Sequence, residues 1–232
     1  MTFKCVAISD THGQHTNLII PPCDFLFHTG DWTNFGDIWE VAKFAEWFRQ
    51  QPATHKVIIA GNHDKTAQNS PHFIRDTFTS LGIHYVCCNE ITLDGIRIWG
   101  APYTPEFNNW AFNMHVNDLH LIWDMMPDNL DVLLTHGPPQ FILDEGHYDG
   151  ISRNLGDKAL REAVMLKKPK VHIFGHIHGI WNHTPTNLNG TTYINAANLP
   201  TPWQGGSLFD PIEFEIDRKP LIPKKLDPKT LT

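Results

Sequence analysis

Five short polar blocks in this sequence carry side chains able to bind metal ions. They are Asp10-Thr11-His12, Gly30-Asp31, Gly61-Asn62-His63-Asp64, His136-Gly137-Pro138-Pro139 and Gly175-His176-Ile177-His178. Carboxylate oxygens, an amide oxygen and imidazole nitrogens together suit Mn, Fe or Zn, whereas Ca and Mg prefer oxygen throughout. In an extended segment alternate residues point to one side, so Asp10 with His12, and His176 with His178, could each present two donors together. Every block also has a plain structural reading. Asp-Thr-His-Gly and Gly-Asp make good turns, Gly61-Asn62 tolerates positive φ, and Pro138-Pro139 ends a strand. His63 and Asp64 exceed what a turn requires. Of 15 histidines, only His12, His63, His136, His176 and His178 fall in these blocks.

The elements that must position the blocks are legible from hydrophobic patterning. Apolar runs at 3–8, 25–28, 57–60, 132–134 and 171–174 read as strands, and each is followed at once by one of the polar blocks. Helical spacing of Ile38, Val41, Ala42, Ala45 and Phe48 predicts a helix over 37–49 capped by Asp37. A second begins at Pro71 and runs to 81, and further helices are expected at 118–126 and 157–166. A hairpin is expected over 91–99 about Asp94-Gly95, and strands at 191–194 and 212–216. Residues 101–117 read as a loop rich in Asn, Pro and aromatics. The spacing predicts a single α/β domain over 1–217 and a C-terminal tail over 218–232, which is basic and holds three prolines. In such a fold the carboxyl ends of neighbouring strands converge on one edge, where ligands bind.

Composition narrows the setting. At 232 residues, 41% apolar and 19% charged, the chain is long enough to bury a substantial core. A net charge of −7 supplies no positive field for polyanions, which argues against extended nucleic-acid binding. The four cysteines lack CxxC spacing, the first residues lack an apolar leader, and no run reaches the length of a membrane span. The expectation is a soluble, cytoplasmic protein without a membrane partner; homodimerisation is left open.

The five blocks in this order, each after a strand, resemble the calcineurin-like metallophosphoesterase superfamily over most of the chain. Trp99-Gly100-Ala101-Pro102-Tyr103-Thr104-Pro105, Trp110-Ala111-Phe112-Asn113 and Thr135-His136-Gly137-Pro138-Pro139 are similar to the branch of metallophosphoesterase-domain proteins and class III cyclic-nucleotide phosphodiesterases. The chain keeps His176, which some animal members have lost. It reads Leu155-Gly156-Asp157 where the branch tends to carry Gly-Cys. The resemblance implies a four-layer α/β/β/α sandwich with a dinuclear metal site at the strand ends. It implies one ion on Asp10, His12 and His178, another on Asn62, His136 and His176, and Asp31 between them, the metals being Mn²⁺, Fe or Zn²⁺.

The implied reaction is hydrolysis of a phosphoester by a hydroxide held between the ions. His63, which that partition leaves free, would assist the leaving group, with Asp64 orienting it. Two divalent ions less two carboxylates and one hydroxide leave a formal +1, matched to a phosphodiester. After Asp31 the sequence is Trp32-Thr33-Asn34-Phe35-Gly36, with no arginine to clamp a dianion, so small phosphodiesters such as cyclic nucleotides are the expected substrates. Trp32, Tyr103, Trp110 and Phe112 are aromatics that could stack on a base or simply pack. The rival readings on the same site are phosphomonoesterase, nucleotide pyrophosphatase and nuclease. A non-catalytic metal-binding scaffold is a further rival, and the intact donor set speaks against it.

Overall fold

The computed structural model describes residues 2–148, 151–179, 184–200 and 207–217. The first half of the chain runs β1 (Thr2–Ile8), β2 (Cys23–His28), α1 (Ile38–Arg49), β3 (Ala53–Ile58), α2 (Lys65–Asn69), α3 (Pro71–Ser80), β4 (His84–Tyr85), β5 (Asn89–Leu93) and β6 (Ile96–Ala101). The second half adds β7 (Thr104–Pro105), β8 (Asn113–Met114), α4 (Leu119–Asp124), β9 (Val132–Thr135), β10 (Glu145–Tyr148), β11 (Ile151–Asn154), α5 (Lys158–Lys167), β12 (Val171–Phe174), β13 (Thr186–Leu188), β14 (Thr191–Asn195) and β15 (Ile212–Asp217).

Two sheets result. One has the order β15-β1-β2-β3-β4, the other β13-β14-β12-β9-β6-β5. Strands β1 to β4 are mutually parallel with β15 antiparallel at the edge. In the second sheet β6, β9, β12 and β14 are parallel, flanked by antiparallel β5 and β13.

The period of two along a strand explains the layering. Phe3, Cys5, Ala7, Phe25, Phe27, Val57 and Ile59 face Ile98, Val132, Leu134, Ile173 and Ile194 in one buried cluster between the sheets. The alternate residues Val6, Ile8, Leu26 and Ile58 pack outward on Val41, Phe44 and Phe48 of α1 and Ile74 and Phe78 of α3. On the far side, Trp99, Leu133, Phe174 and Tyr193 pack on Leu119 and Trp123 of α4 and Leu160 and Val164 of α5. The four-layer α/β/β/α order is therefore present.

Local signals mostly hold. Asp37 and Glu40 form a reciprocal capping box on α1, Pro71 opens α3, and Asp157 caps α5. Positive φ at Asp94 (48°) and Gly95 (83°) makes the β5–β6 turn. Two expectations need correction. Strand β3 starts at Ala53 rather than 57, because its polar first half is ordered by pairing with β2 and not by burial. The stretch 101–117 is not loop throughout, since β7 pairs with β8. The expected tail, 218–232, lies outside the described residues.

Two buried histidines lie in the sheets. His28 Nδ1 accepts from Gly30 N at 3.2 Å, so its Nε2–H donates to Thr11 Oγ1 at 3.2 Å. Thr135 Oγ1 donates to Gly137 O, so His172 Nε2–H donates to Thr135 at 2.8 Å. Burial pushes both imidazoles down to about 3, against about 6.5 in an unfolded chain. A base with a depressed folded pKa binds fewer protons folded than unfolded, so stability falls as pH drops below about 6.5. In urea titrations of metal-stripped protein between pH 6 and 4, His172→Phe should reduce the pH slope of the unfolding free energy by about 1.4 kcal/mol per unit. An unchanged slope would show that His172 is not a neutral buried base.

Candidate metal centre

Strand ends deliver every polar block to one place. Asp10 and His12 follow β1, Asp31 follows β2, Asn62 and His63 follow β3, His136 follows β9, and His176 and His178 follow β12. Ligand atoms of Asp10, His12 and His178 lie within 4.8 Å of one another, as do those of Asp31, His136 and His176. His12, Asp31 and His63 form a third such group, overlapping both. Asp31 sits between the first two: its Oδ2 is 3.7 Å from His12 Nε2 and 3.3 Å from His136 Nε2. Asn62 Oδ1 is 2.9 Å from His136 Nε2.

The two carboxylates are built alike. Asp10 Oδ2 accepts from His176 N at 2.9 Å, and Asp31 Oδ1 accepts from His63 N at 2.7 Å. Each thus spends one oxygen on a backbone donor of another block and turns the second oxygen toward the imidazoles. Those imidazoles are oriented by backbone carbonyls. His136 Nδ1 donates to Thr29 O at 2.9 Å and His178 Nδ1 to Leu199 O at 2.6 Å. In the neutral imidazoles both Nε2 atoms would then be bare lone pairs facing carboxylate oxygens at 3.3 Å, a contact that a proton on Nε2 or a metal ion relieves.

Acceptors facing acceptors in a buried site call for a cation. Among the described residues, Asp10 Oδ1, which has His178 Nε2 facing it at 3.3 Å, and His12 Nε2 are buried without a well-formed hydrogen bond, which a protein rarely tolerates unless an ion supplies the missing interaction. The donor set therefore fits two metal ions. Burial lowers the His136 imidazole, yet Asp31 in contact with it outweighs burial and lifts the group to about 9. Burial pushes His12 to about 4 and, aided by His136, His176 to about 3. These two are neutral and ready to ligate at pH 7, whereas His136 must lose a proton. Adding Mn²⁺ to stripped protein at pH 7.5 in weak buffer should therefore release protons, read with an indicator dye. Proton uptake, or none moved, would contradict the assignment of His136.

The backbone at the site differs from the sequence reading. Asp10 (φ 52°), His12 (41°), Asp31 (55°) and His176 (68°) are all left-handed, a conformation costly for residues other than glycine. Asp10 and His12 converge through these turns and not through strand alternation. The same geometry sends His176 and His178 to different groups instead of to one side.

The glycines act differently too. Gly61 and Gly175 do not have positive φ; a Cβ at Gly175 would overlap Asp10 Oδ2 and Ser9 Oγ, and one at Gly61 would overlap Asp31 Oδ1 and approach His136 Cε1 to 2.6 Å. Gly175→Ala should abolish binding of the ion near Asp10, seen as lower metal content by elemental analysis. Full metal content would refute the close-approach explanation.

Asp64 does not orient His63. Its Oδ2 accepts from Asp31 N and Gly61 N, both at 2.8 Å, and its Oδ1 from Thr33 N at 3.0 Å and Thr33 Oγ1 at 2.7 Å. Burial, with Asp31 nearby, pushes this carboxyl up to about 8. Four donors converging on both oxygens pull the other way, because only the ionised form accepts them all. Asp64 is a clamp between the Asp31 and Asn62 blocks. His63 Nδ1 is held instead by Asn34 O at 2.5 Å, and Asn34 N is held by Glu40 Oε1 at 3.0 Å.

Sequence reasoning missed Asn34, Thr29 and Leu199, which act through backbone carbonyls, and Asn198, which exchanges hydrogen bonds with Ser9. Asn195 and Asn198 do carry a signal, being polar residues at and just after the end of β14. A cavity of about 250 Å³ opens over the site, lined by His12, Asp31, Asn62, His63, Phe107, Asn108, Trp110, His176 and His178. Of the four aromatics considered for stacking, Trp110 lines it; Trp32 and Phe112 are core residues and Tyr103 packs beside them.

Donors of these types, gathered in adjoining groups at the carboxyl ends of two facing sheets, define a metal-dependent phosphoric ester hydrolase. The chain belongs to the calcineurin-like phosphoesterase family, whose model matches residues 3–179. It is 33% identical to human metallophosphoesterase domain-containing protein 1 over 226 residues, covering 87% of this chain and 68% of that protein. A UPF0046 protein of Caenorhabditis elegans is 35% identical over 239 residues, covering 96% and 83% respectively. The fold matches a solved protein of Thermus thermophilus, TT1561, with TM-score 0.59 at 12% identity, covering 86% of this chain and 91% of that one. Phosphopantetheinyl hydrolase of Mycobacterium tuberculosis gives 0.57 at 14% identity, covering 90% and 95%. No helix among the described residues is long and apolar enough to cross a membrane.

Proposed function

We propose that the chain is a phosphodiesterase acting on small substrates, cyclic nucleotides among them, with Mn²⁺ or Fe as its metals, Zn²⁺ being the other metal its donors suit. Asp10, His12 and His178 would hold one ion, Asn62, His136 and His176 the other, and Asp31 would serve both. Bound there, the ions would supply Lewis acidity toward the phosphate and an acidified water as nucleophile. The chain's own contribution is orientation and proton handling. With Nδ1–H donating to Asn34 O, it is the cationic form of His63 that has a proton on Nε2 to give to the departing oxygen.

The observation that carries the diester reading is the charge of the cavity wall: among the described residues lining it there is no Lys or Arg. A monoester dianion would meet no ammonium or guanidinium group in that wall, while a diester monoanion needs less compensation. The volume of about 250 Å³ supports small substrates, and the four free cysteines support a reducing, cytoplasmic setting.

Under Mn²⁺, bis-p-nitrophenyl phosphate should be hydrolysed at least about tenfold more efficiently than p-nitrophenyl phosphate, and His63→Ala should slow turnover of a diester with an alkyl leaving group by about 100-fold with metal content unchanged. Preference for the monoester would overturn the diester reading. Loss of metal in the variant would move His63 into the ligand set.

A further inference from the structure

We infer that Trp110 is a positioning residue that sets the plane of the His63 imidazole. This rests on the leaving-group role proposed for His63. The indole lies against the imidazole with ring centroids 4.1 Å apart and planes 25° from parallel. The edge of the His12 ring meets His63 at 4.6 Å and 87°, and Asn34 O holds Nδ1. A single hydrogen bond to Nδ1 leaves the ring free to pivot about that bond. The stacked indole removes this freedom, and Nε2 then faces one direction.

Trp110 is anchored independently of His63. Thr104 pairs with Asn113 across the β7–β8 ladder, and Thr104 N donates to Phe112 O at 3.1 Å. Tyr103 meets Phe112 edge-on at 5.8 Å, and Trp110 N reaches Phe107 O at 3.4 Å. The next residue, Ala111, donates its N–H to Asn62 O at 3.1 Å, tying the loop to the residue before His63. Lys65 Nζ lies 4.5 Å from an indole ring centre, a cation–π contact that further fixes the ring. Imidazole and ammonium together claim the indole, so Trp110 serves as a wall and not as a platform for a substrate base. In the reaction a water oxygen forms the new bond to phosphorus as the ester P–O bond breaks, and the departing oxygen, keeping the electron pair, takes the Nε2 proton of the His63 imidazolium, whose Nδ1–H stays on Asn34 O. Misdirection of Nε2 therefore slows turnover without weakening substrate binding.

The test compares wild type, Trp110→Ala, Trp110→Phe, His63→Ala and the double variant Trp110→Ala/His63→Ala, all Mn²⁺-loaded and checked for metal content. Two diesters are used, one with an alkyl and one with a p-nitrophenyl leaving group. Trp110→Ala should lower kcat for the alkyl diester by about 10- to 100-fold at nearly constant KM. The loss should be smaller for p-nitrophenyl, which needs little protonation, and Trp110→Phe should recover most of the rate. The double variant should be no slower than His63→Ala. A double variant slower by the full Trp110→Ala factor, or an effect confined to KM, overturns the positioning role while leaving His63 in place. His63→Ala at the wild-type rate on the alkyl diester overturns the His63 reading and this inference with it.

Discussion

The arrangement around Asp31 is the constraint on which the molecule depends: hydrogen-bond acceptors packed against acceptors. The Nδ1–H groups of His136 and His178 are committed to Thr29 O and Leu199 O. In the neutral imidazoles the Nε2 atoms can then only accept, facing the carboxylates of Asp31 and Asp10 at 3.3 Å, and it is the proton Asp31 holds on His136 that a metal ion must replace. In low dielectric such an assembly repels itself unless a cation lies among the lone pairs. Each carboxylate is aimed by a backbone N–H, from His63 onto Asp31 and from His176 onto Asp10, and is kept ionised against burial by the imidazoles it faces, His136 for Asp31 and His178 for Asp10. Metal affinity is built by preventing the acceptors from finding any other partner.

Holding that arrangement is costly. Four residues that supply donors sit in the left-handed region, at about 1–3 kcal/mol each for residues other than glycine. The strain is sustained by a backbone ladder that extends β1 and β2 past their ends, with Asp10 N on Gly30 O, His12 N on Asp31 O and Gly13 N on Trp32 O. Asp64 adds a lateral clamp, fixing Asp31, Thr33 and Gly61 at once. His28 joins Thr11 to Gly30 from beneath. Neither Asp64 nor His28 lines the cavity, yet each removes a direction in which a strained turn could relax.

The chemistry of the site was legible in the sequence because donor type survives translation into one dimension. An Asp, an Asn or a His after an apolar run names both the ligand atom and the strand end that presents it. Sheet strands, helix caps and the Asp94-Gly95 turn were legible for the same reason, each resting on local pattern. The path of convergence was not. Alternation put Asp10 beside His12, whereas left-handed turns do so in the fold. Gly61 looked like a turn glycine and Gly175 carried no signal of its own, but what requires both is a neighbouring block more than 25 residues away in sequence. Backbone carbonyls such as those of Thr29, Asn34 and Leu199 carry no residue signature at all. Asp64 was visible as a carboxylate, but its partners are mainly backbone N–H groups that no pattern marks.

The donors also divide between the sheets. Asp10, His12, Asp31 and Asn62 follow strands of the first, while His136, His176 and His178 follow strands of the second. Ser9 bridges to Ala197 across that seam, and both His136 Nδ1 to Thr29 O and His176 N to Asp10 Oδ2 cross it. Ions held by the proposed donors would link the two sheets, so metal affinity and docking of the sheets would be one equilibrium: whatever separates the sheets would lower affinity, and metal in turn would favour the docked state. The loop bearing Phe107, Asn108 and Trp110 stands outside that equilibrium. It supplies cavity walls and none of the proposed metal donors, and its backbone is tied to the seam by the bond from Ala111 to Asn62. Changes in this loop can therefore alter what enters the cavity and, through Trp110 stacked on His63, how the proton donor is aimed, while leaving the strained seam between the sheets intact.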